Sequence, residues 1–162
     1  MQPAADTAQA PTPVLRRRVQ NRRDALEPAR LAVLAHLAPW SLSDKARYRV
    51  ELVLEETLLN AMLHGHPGER EVEPEGGGEG DSGGTHAIDL SVQVRGGAVC
   101  LCFEDDGIAF DPLAAVPRPQ PASLTQAEPG GLGLLLVRRL SRSVQYERHE
   151  GRNTLRIEVA LG

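Results

Sequence analysis

The chain has 162 residues, 41% hydrophobic and 25% charged, with a net charge of −4. That suits one soluble domain with a sizeable core, aliphatic because aromatic residues make up only 3%. No apolar run approaches transmembrane length, no signal peptide is expected over Met1–Pro13, and with six acids and one base between Pro67 and Thr85 the remainder is close to neutral, without a large basic face for nucleic acid.

Residues 1–12 are rich in Ala, Pro, Gln and Thr and are expected to be disordered; residues 13–162 are expected to form a single domain. Residues 14–20 read as a first strand whose arginines suit a sheet edge. Arg16–Arg18 and Arg22-Arg23 read as a solvated strand and turn, or as a dock for an acidic partner protein. Asp24 is placed to cap a helix running to about Ala38, with Leu26, Ala29, Arg30, Val33, Leu34 and Leu37 at helical spacing. Pro39-Trp40-Ser41 breaks it, and Trp40 is expected to seal the seam between this helix and the next.

Ser43 is expected to cap a long helix, with Asp44 in its first turn. Val50, Val53, Leu54, Thr57, Leu58 and Ala61 form its i, i+3, i+4, i+7, i+8 stripe. Gly65 and Pro67 end it. Glu56 and Asn60 lie one turn apart at the margin of that stripe. The carboxylate can take a proton and the amide oxygen can ligate a hard cation. A helix with a merely polar edge has the same pattern.

Residues 67–85 read as a flexible acidic Gly-rich insert, longer than a compact domain needs. Residues 87–95 alternate through Ile88, Leu90, Val92 and Val94, and residues 98–104 form their hairpin partner across Gly96-Gly97. Val99, Leu101 and Phe103 share one face. Cys100 and Cys102 share the other, and they read as two small core residues in a reducing cytosol. Residues 112–130 hold five prolines and read as a lid. A helix over 134–141 follows, then strands over 144–150 and 154–161 around Gly151-Arg152. The order β-α-α-β-β-α-β-β implies a mainly antiparallel sheet with helices on one face, an α+β architecture.

Three motifs carry the chemistry. The first is Glu56-x3-Asn60. The second is Asp105-x-Gly107-x-Ala109-Phe110-Asp111-Pro112 at a strand end, where a carboxylate can accept from an exocyclic amine and Gly107 lets backbone approach a flat ligand. The third is Gly130-Gly131-Leu132-Gly133 at a helix start, where backbone N–H groups can face phosphates. Each alone is also consistent with an ordinary turn. Of the histidines, only His64-x-His66 has close spacing, and His64 is assigned to the helix end and hinge rather than to a metal site.

In this order the motifs resemble those of the GHKL ATPase superfamily, the nucleotide-binding fold of gyrase and the histidine kinases. The narrower resemblance, over about Val14 to Leu161, is to the stand-alone bacterial anti-sigma-factor serine/threonine kinases of partner-switching systems. Glu56-Thr-Leu-Leu-Asn60-Ala-Met-Leu-His64-Gly65 resembles the N box, and Asp105 to Pro112 the first glycine box in its Phe-Asp-Pro form. Gly130 to Arg138 resembles the second glycine box, and the tail from Val144 to Leu155 also fits that branch.

The resemblance implies a two-layer α/β sandwich with a mixed, mainly antiparallel sheet. It implies Glu56 as general base, Asn60 as ligand to Mg²⁺ on the ATP phosphates, and Asp105 on the adenine amino group with Gly107 against the ring. It places Ala109, Phe110, Gly130, Gly131, Leu132, Gly133 and Thr154 at the nucleotide too. Ala109 and Arg142 depart from the usual pattern. The implied function is that of a cytoplasmic, homodimeric anti-sigma factor and protein serine kinase. It would phosphorylate a STAS-type antagonist, an anti-anti-sigma protein, and sequester a sigma factor. A nucleotide-gated binding module without useful kinase activity is the alternative; a detached sensor histidine kinase domain is less well matched, because no long helical hairpin precedes the domain.

Overall fold

The computed structural model describes residues 12–66, 86–114 and 131–162. The expected disordered start, the 67–85 insert and lid residues 115–130 therefore lie outside the described residues, apart from Thr12. The elements are β1 (Leu15–Gln20), α1 (Leu26–Leu37), α2 (Asp44–His64), β2 (Ala87–Arg95), β3 (Ala98–Asp105), α3 (Gly131–Leu140), β4 (Ser143–His149) and β5 (Arg152–Ala160). The strands form one sheet in the order β1-β2-β3-β5-β4, with every neighbouring pair antiparallel. This is the α+β two-layer fold, with no parallel pair among the described strands.

Strand alternation builds the core. Ile88, Leu90, Val92 and Val94 of β2 are buried, as are Val99, Leu101 and Phe103 of β3 and Ile157 and Val159 of β5. Against them α2 buries Val50, Val53, Leu54 and Leu58, and α1 buries Ala29, Val33 and Leu37. Gly96 and Gly97 both have positive φ, 57° and 72°, as a two-residue type I′ hairpin requires. β1 takes the edge position, where its exposed arginines are tolerated. Trp40 packs partly buried against the core, its ring 5.5 Å from that of His36.

The Ser43 cap forms as expected: its Oγ accepts from the Ala46 N–H at 3.1 Å. Ser43→Ala should lower stability by about 1 kcal/mol, seen as a shifted denaturation midpoint at unchanged slope; an unshifted midpoint would mean that water replaces the cap.

Several local expectations are corrected. Asp24 does not cap α1. The helix starts two residues later behind Ala25, without a side-chain cap, and Asp24 sits in a 3-10 turn paired with Arg22 at 2.9 Å. The reason is competition: a carboxylate beside a guanidinium is drawn to the charge rather than to backbone N–H groups.

Arg30 belongs to the helix margin and not to the apolar stripe. It bridges Glu27 at 2.7 Å and Glu51 of α2 at 3.0 Å, and Glu51 also takes Arg47 at 2.9 Å. Cys100 and Cys102 are not core residues. They are half-buried on the sheet face opposite the helices, and burial pushes both thiols above their ordinary pKa. The last hairpin turns at Glu150-Gly151, both at positive φ, so β5 starts at Arg152 and Asn153 pairs with Arg148. Finally, α3 starts at Gly131, three residues before its expected start, so two of the glycines in Gly130-Gly131-Leu132-Gly133 lie inside its first turn.

Candidate functional site

Two strand ends set the floor of the site. β3 finishes at Asp105, which pairs with Asn153 near the start of β5. One oxygen of the Asp105 carboxylate, Oδ1, accepts from the Gly107 N–H at 2.9 Å and from Asn153 Nδ2 at 2.9 Å. The contacts made by this carboxylate through Oδ1 hold it in place and leave Oδ2 as the oxygen that can meet a ligand.

Asn153 is buried and central. Its Nδ2 also donates to the Ile108 carbonyl at 2.9 Å, and its Oδ1 accepts from Tyr146 Oη at 2.6 Å and Arg148 Nη1 at 2.7 Å. Acceptors on one side and donors on the other fix the orientation of the amide. Arg148 Nη1 also donates to the Gly107 carbonyl at 3.0 Å. The loop after β3 is thus tied to β4 by Arg148 and to β5 by Asn153.

The C-terminal end of α2 closes over this loop. The Ile108 N–H donates to the Gly65 carbonyl at 2.9 Å. A Cβ on Gly107 would come within 2.7 Å of both Cα and O of Gly65, and within 2.9 Å of Asp105 Oδ1. Gly65 itself is helical, with φ −64°, so glycine is needed there for close approach and not for a left-handed cap. A Cβ on it would lie 2.5 Å from the Ala61 carbonyl oxygen.

Between these parts lies an open cleft with about 510 Å³ of empty space, counting its mouth. It is lined from α2 by Thr57, Asn60, Ala61 and His64, from the loop by Asp105, Ile108, Phe110 and Pro112, from α3 by Leu134, and from the sheet by Tyr146, Asn153 and Leu155. The walls are mostly apolar, as suits a flat heterocycle, and the polar atoms are few. His64 stacks on Phe110 with ring centroids 5.4 Å apart and planes 16° from parallel. That contact joins the end of α2 to the loop. Asn60 is 6% exposed and its Nδ2 has no hydrogen-bond partner among the described residues; Thr57 Oγ1 is in the same position one turn away. Buried polar atoms left unpaired on a cleft wall are costly unless a ligand or water satisfies them. The unpaired atom of Asn60 is its amide nitrogen, a donor that an acceptor such as a phosphate oxygen would satisfy, while the amide oxygen is the kind of donor atom that Mg²⁺ prefers.

Glu56 does not line the cleft. It lies one turn before Asn60, partly buried, and its carboxylate faces Gly133 so closely that any side chain there would run into it. The structure therefore brings Glu56 to the first turn of α3, the element expected at the phosphates. Asp105 and Phe110 line the cleft, whereas Gly107 is buried against Gly65 outside its lining, and Ala109 is exposed and outside it too. Thr154 also lies off it, because the pleat turns Asn153 and Leu155 toward the helices and Thr154 the other way. Gly130 lies outside the described residues. Gly131 and Leu132 belong to the first turn of α3.

Residue-level expectation missed three members of the site. Thr57 was counted with the apolar stripe, and its orphaned hydroxyl is visible only in three dimensions. Tyr146 was not singled out. Asn153 falls outside the expected strand, which starts two residues later than β5 does. The signal was present, since Asn153, Leu155, Ile157 and Val159 alternate, and a lone amide at an inward position is conspicuous.

Comparison with known proteins shows the family and the fold. A family model described as a histidine kinase-like ATPase domain matches residues 19–159. The chain is 32% identical over 129 residues to the serine/threonine-protein kinase BtrW of Bordetella bronchiseptica, covering 75% of this chain and 77% of that protein. In three dimensions it resembles the structure of the RsbU and RsbW domains of Rv1364c from Mycobacterium tuberculosis, with a TM-score of 0.59 and 17% identity. That match covers 94% of this chain and 33% of the other, so the chain spans about a third of that structure.

Proposed function

The chain belongs to the histidine kinase-like ATPase domain family, and from that premise we propose that it is an ATP-dependent protein serine kinase of a partner-switching system. The observation that carries this reading is the cleft itself. A buttressed carboxylate (Asp105) stands at one end of an apolar slot, and a buried, incompletely paired amide (Asn60) stands on its wall. Asp105 accepts from the exocyclic amine of adenine through Oδ2. Asn60 would hold Mg²⁺ through its amide oxygen. When bound, that ion neutralises charge on the phosphates.

The first turn of α3 offers N–H groups to the phosphate chain, and Glu56 beside it accepts the proton of the incoming serine hydroxyl. Phosphoryl transfer depends mainly on positioning and electrostatics, which one carboxylate, one amide and one helix terminus can provide. The similarity to a protein named as a serine/threonine kinase supports the kinase over the nucleotide-gated binding module. The phosphorylated partner would be a small STAS-type protein and the alternate partner a sigma factor, with the chain acting as a dimer. No described helix is long and apolar enough to cross a membrane.

Nucleotide titration by calorimetry tests the adenine assignment. Asp105→Asn retains Oδ1 for Gly107 and Asn153 but turns an amino group toward the adenine amine. ATP affinity should fall by roughly 1–3 kcal/mol, the scale of a hydrogen bond to a charged group. GTP should bind the unmutated protein more weakly than ATP, because O6 meets a second acceptor. Equal binding of ATP and GTP would remove Asp105 from this role.

A further inference from the structure

Beside the cleft, outside every role assigned above, three side chains from three separate segments converge. His66 follows the end of α2, His86 enters β2 and Asp106 leaves β3. His66 Nε2 lies 3.3 Å from Asp106 Oδ1, and His86 Nδ1 lies 3.2 Å from the same oxygen. The two imidazole rings stack with centroids 3.5 Å apart, and all three ligand atoms lie within 4.8 Å of one another. We infer that His66, His86 and Asp106 form a binding site for a divalent transition-metal ion such as Zn²⁺, set at the edge of the nucleotide cleft and separate from the Mg²⁺ expected at Asn60.

The spacing supports this. Nitrogen and oxygen ligands about 2.0–2.1 Å from a tetrahedral ion lie about 3.3 Å from each other, which is the separation of both histidines from the carboxylate. Two imidazoles and a carboxylate are the donor set for zinc and its neighbours in the first transition row, while Mg²⁺ and Ca²⁺ prefer oxygen. The backbone around the ligands is already held. The Gly65 carbonyl accepts from Ile108 N at 2.9 Å, and the His86 carbonyl accepts from Asn21 N at 3.2 Å. The histidines are mostly shielded, with side chains 16% and 24% exposed, while Asp106 is half-exposed and gives the ion an entry path. Three protein ligands leave a fourth position for water or for a group from another molecule.

An ion there would fasten the end of α2 to the exit of β3 next to the Gly65–Gly107 contact. It would also join the residues on either side of the acidic 67–85 stretch. Sequence spacing concealed the site, because His66 and His86 are twenty residues apart and come together only in the folded chain.

The test is calorimetric titration of the untagged full chain with Zn²⁺, without nucleotide, followed by the absorption spectrum of the Co²⁺ form. One ion per chain is expected, with a Co²⁺ spectrum free of thiolate charge transfer. His66→Gln and His86→Gln should each weaken Zn²⁺ binding at least about tenfold, since even partners that only orient a ligand matter by that factor. His149→Gln, a surface histidine beside Glu150, should leave it unchanged. Circular dichroism checks folding; if either variant unfolds, Asp106→Asn, altered at an exposed carboxylate, takes its place with the same expected loss. The proposal is overturned if the folded chain takes up no Zn²⁺. It is also overturned if uptake persists in the His66→Gln/His86→Gln double variant and disappears in Cys100→Ser/Cys102→Ser. Because no nucleotide is present, either result is independent of the kinase assignment.

Discussion

Glu56→Gln should lower phosphoryl transfer by roughly 10²–10⁴-fold, about 2.7–5.5 kcal/mol on the barrier, the usual contribution of a positioned general base. The substitution is close to isosteric. The carboxylate of Glu56 lies beside Gly133, and a carboxamide keeps that position and the hydrogen-bonding capacity but cannot accept the serine proton. ATP binding should survive, because Glu56 lies outside the cleft lining, and partner binding should survive because it depends on surface. Asn60→Ala should behave in the opposite way, lowering Mg²⁺-dependent ATP affinity itself. The measurement separates bound nucleotide from phosphoserine after incubation with labelled ATP and the cognate STAS-type protein. Transfer by Glu56→Gln at the unmutated rate would show that another group is the base. An unmutated chain that binds ATP but phosphorylates no partner would favour the nucleotide-gated binding module.

Asn153→Ala should cost roughly 2–4 kcal/mol of stability and weaken ATP binding as well, since several partners of a buried amide lose their bonds together. Removing the side chain deprives Asp105 of one of the two donors to Oδ1 and leaves the Ile108 carbonyl and the Tyr146 hydroxyl without it. Arg148 retains the Gly107 carbonyl and solvent, so its share of the loss is small. Asn153→Asp sharpens the test. It keeps an oxygen for Tyr146 and Arg148 but sets a carboxylate against that of Asp105, where two like charges about 3 Å apart cannot both ionise cheaply. The Asp variant should bind ATP more weakly than the unmutated chain at neutral pH. Denaturation and calorimetry on the pair would decide. If both variants match the unmutated protein, the Asn153 network is incidental to the site.

The elements themselves were legible because each follows from local rules. A 3.6-residue stripe defined α2, and period-two alternation defined β2 and β3 to within a residue. The Ser43 cap and the Gly96-Gly97 turn have local chemistry that little else can satisfy. Errors fell where two interactions compete for one residue. Asp24 chose Arg22 over the helix N-terminus, and the last hairpin turned one residue earlier because Glu150 accepts a positive φ beside Gly151.

The chain's residues by themselves marked Glu56, Asn60, Asp105 and Gly107 as candidates, because a carboxylate can take a proton, an amide oxygen can ligate a cation and a glycine lets backbone approach a flat ligand, while their assignment to a nucleotide was implied by the motif resemblance. Only the tertiary structure decided that Asn153 and the Gly107 N–H hold Asp105 through Oδ1, and that Gly107 has no room for a side chain because Gly65 lies against it. It alone set Glu56 against Gly133 and brought His66, His86 and Asp106 together. The physical reason is range. Propensity and periodicity act over a few residues along the chain, whereas the antiparallel sheet and the packing of α2 across it place atoms remote in sequence within hydrogen-bond distance.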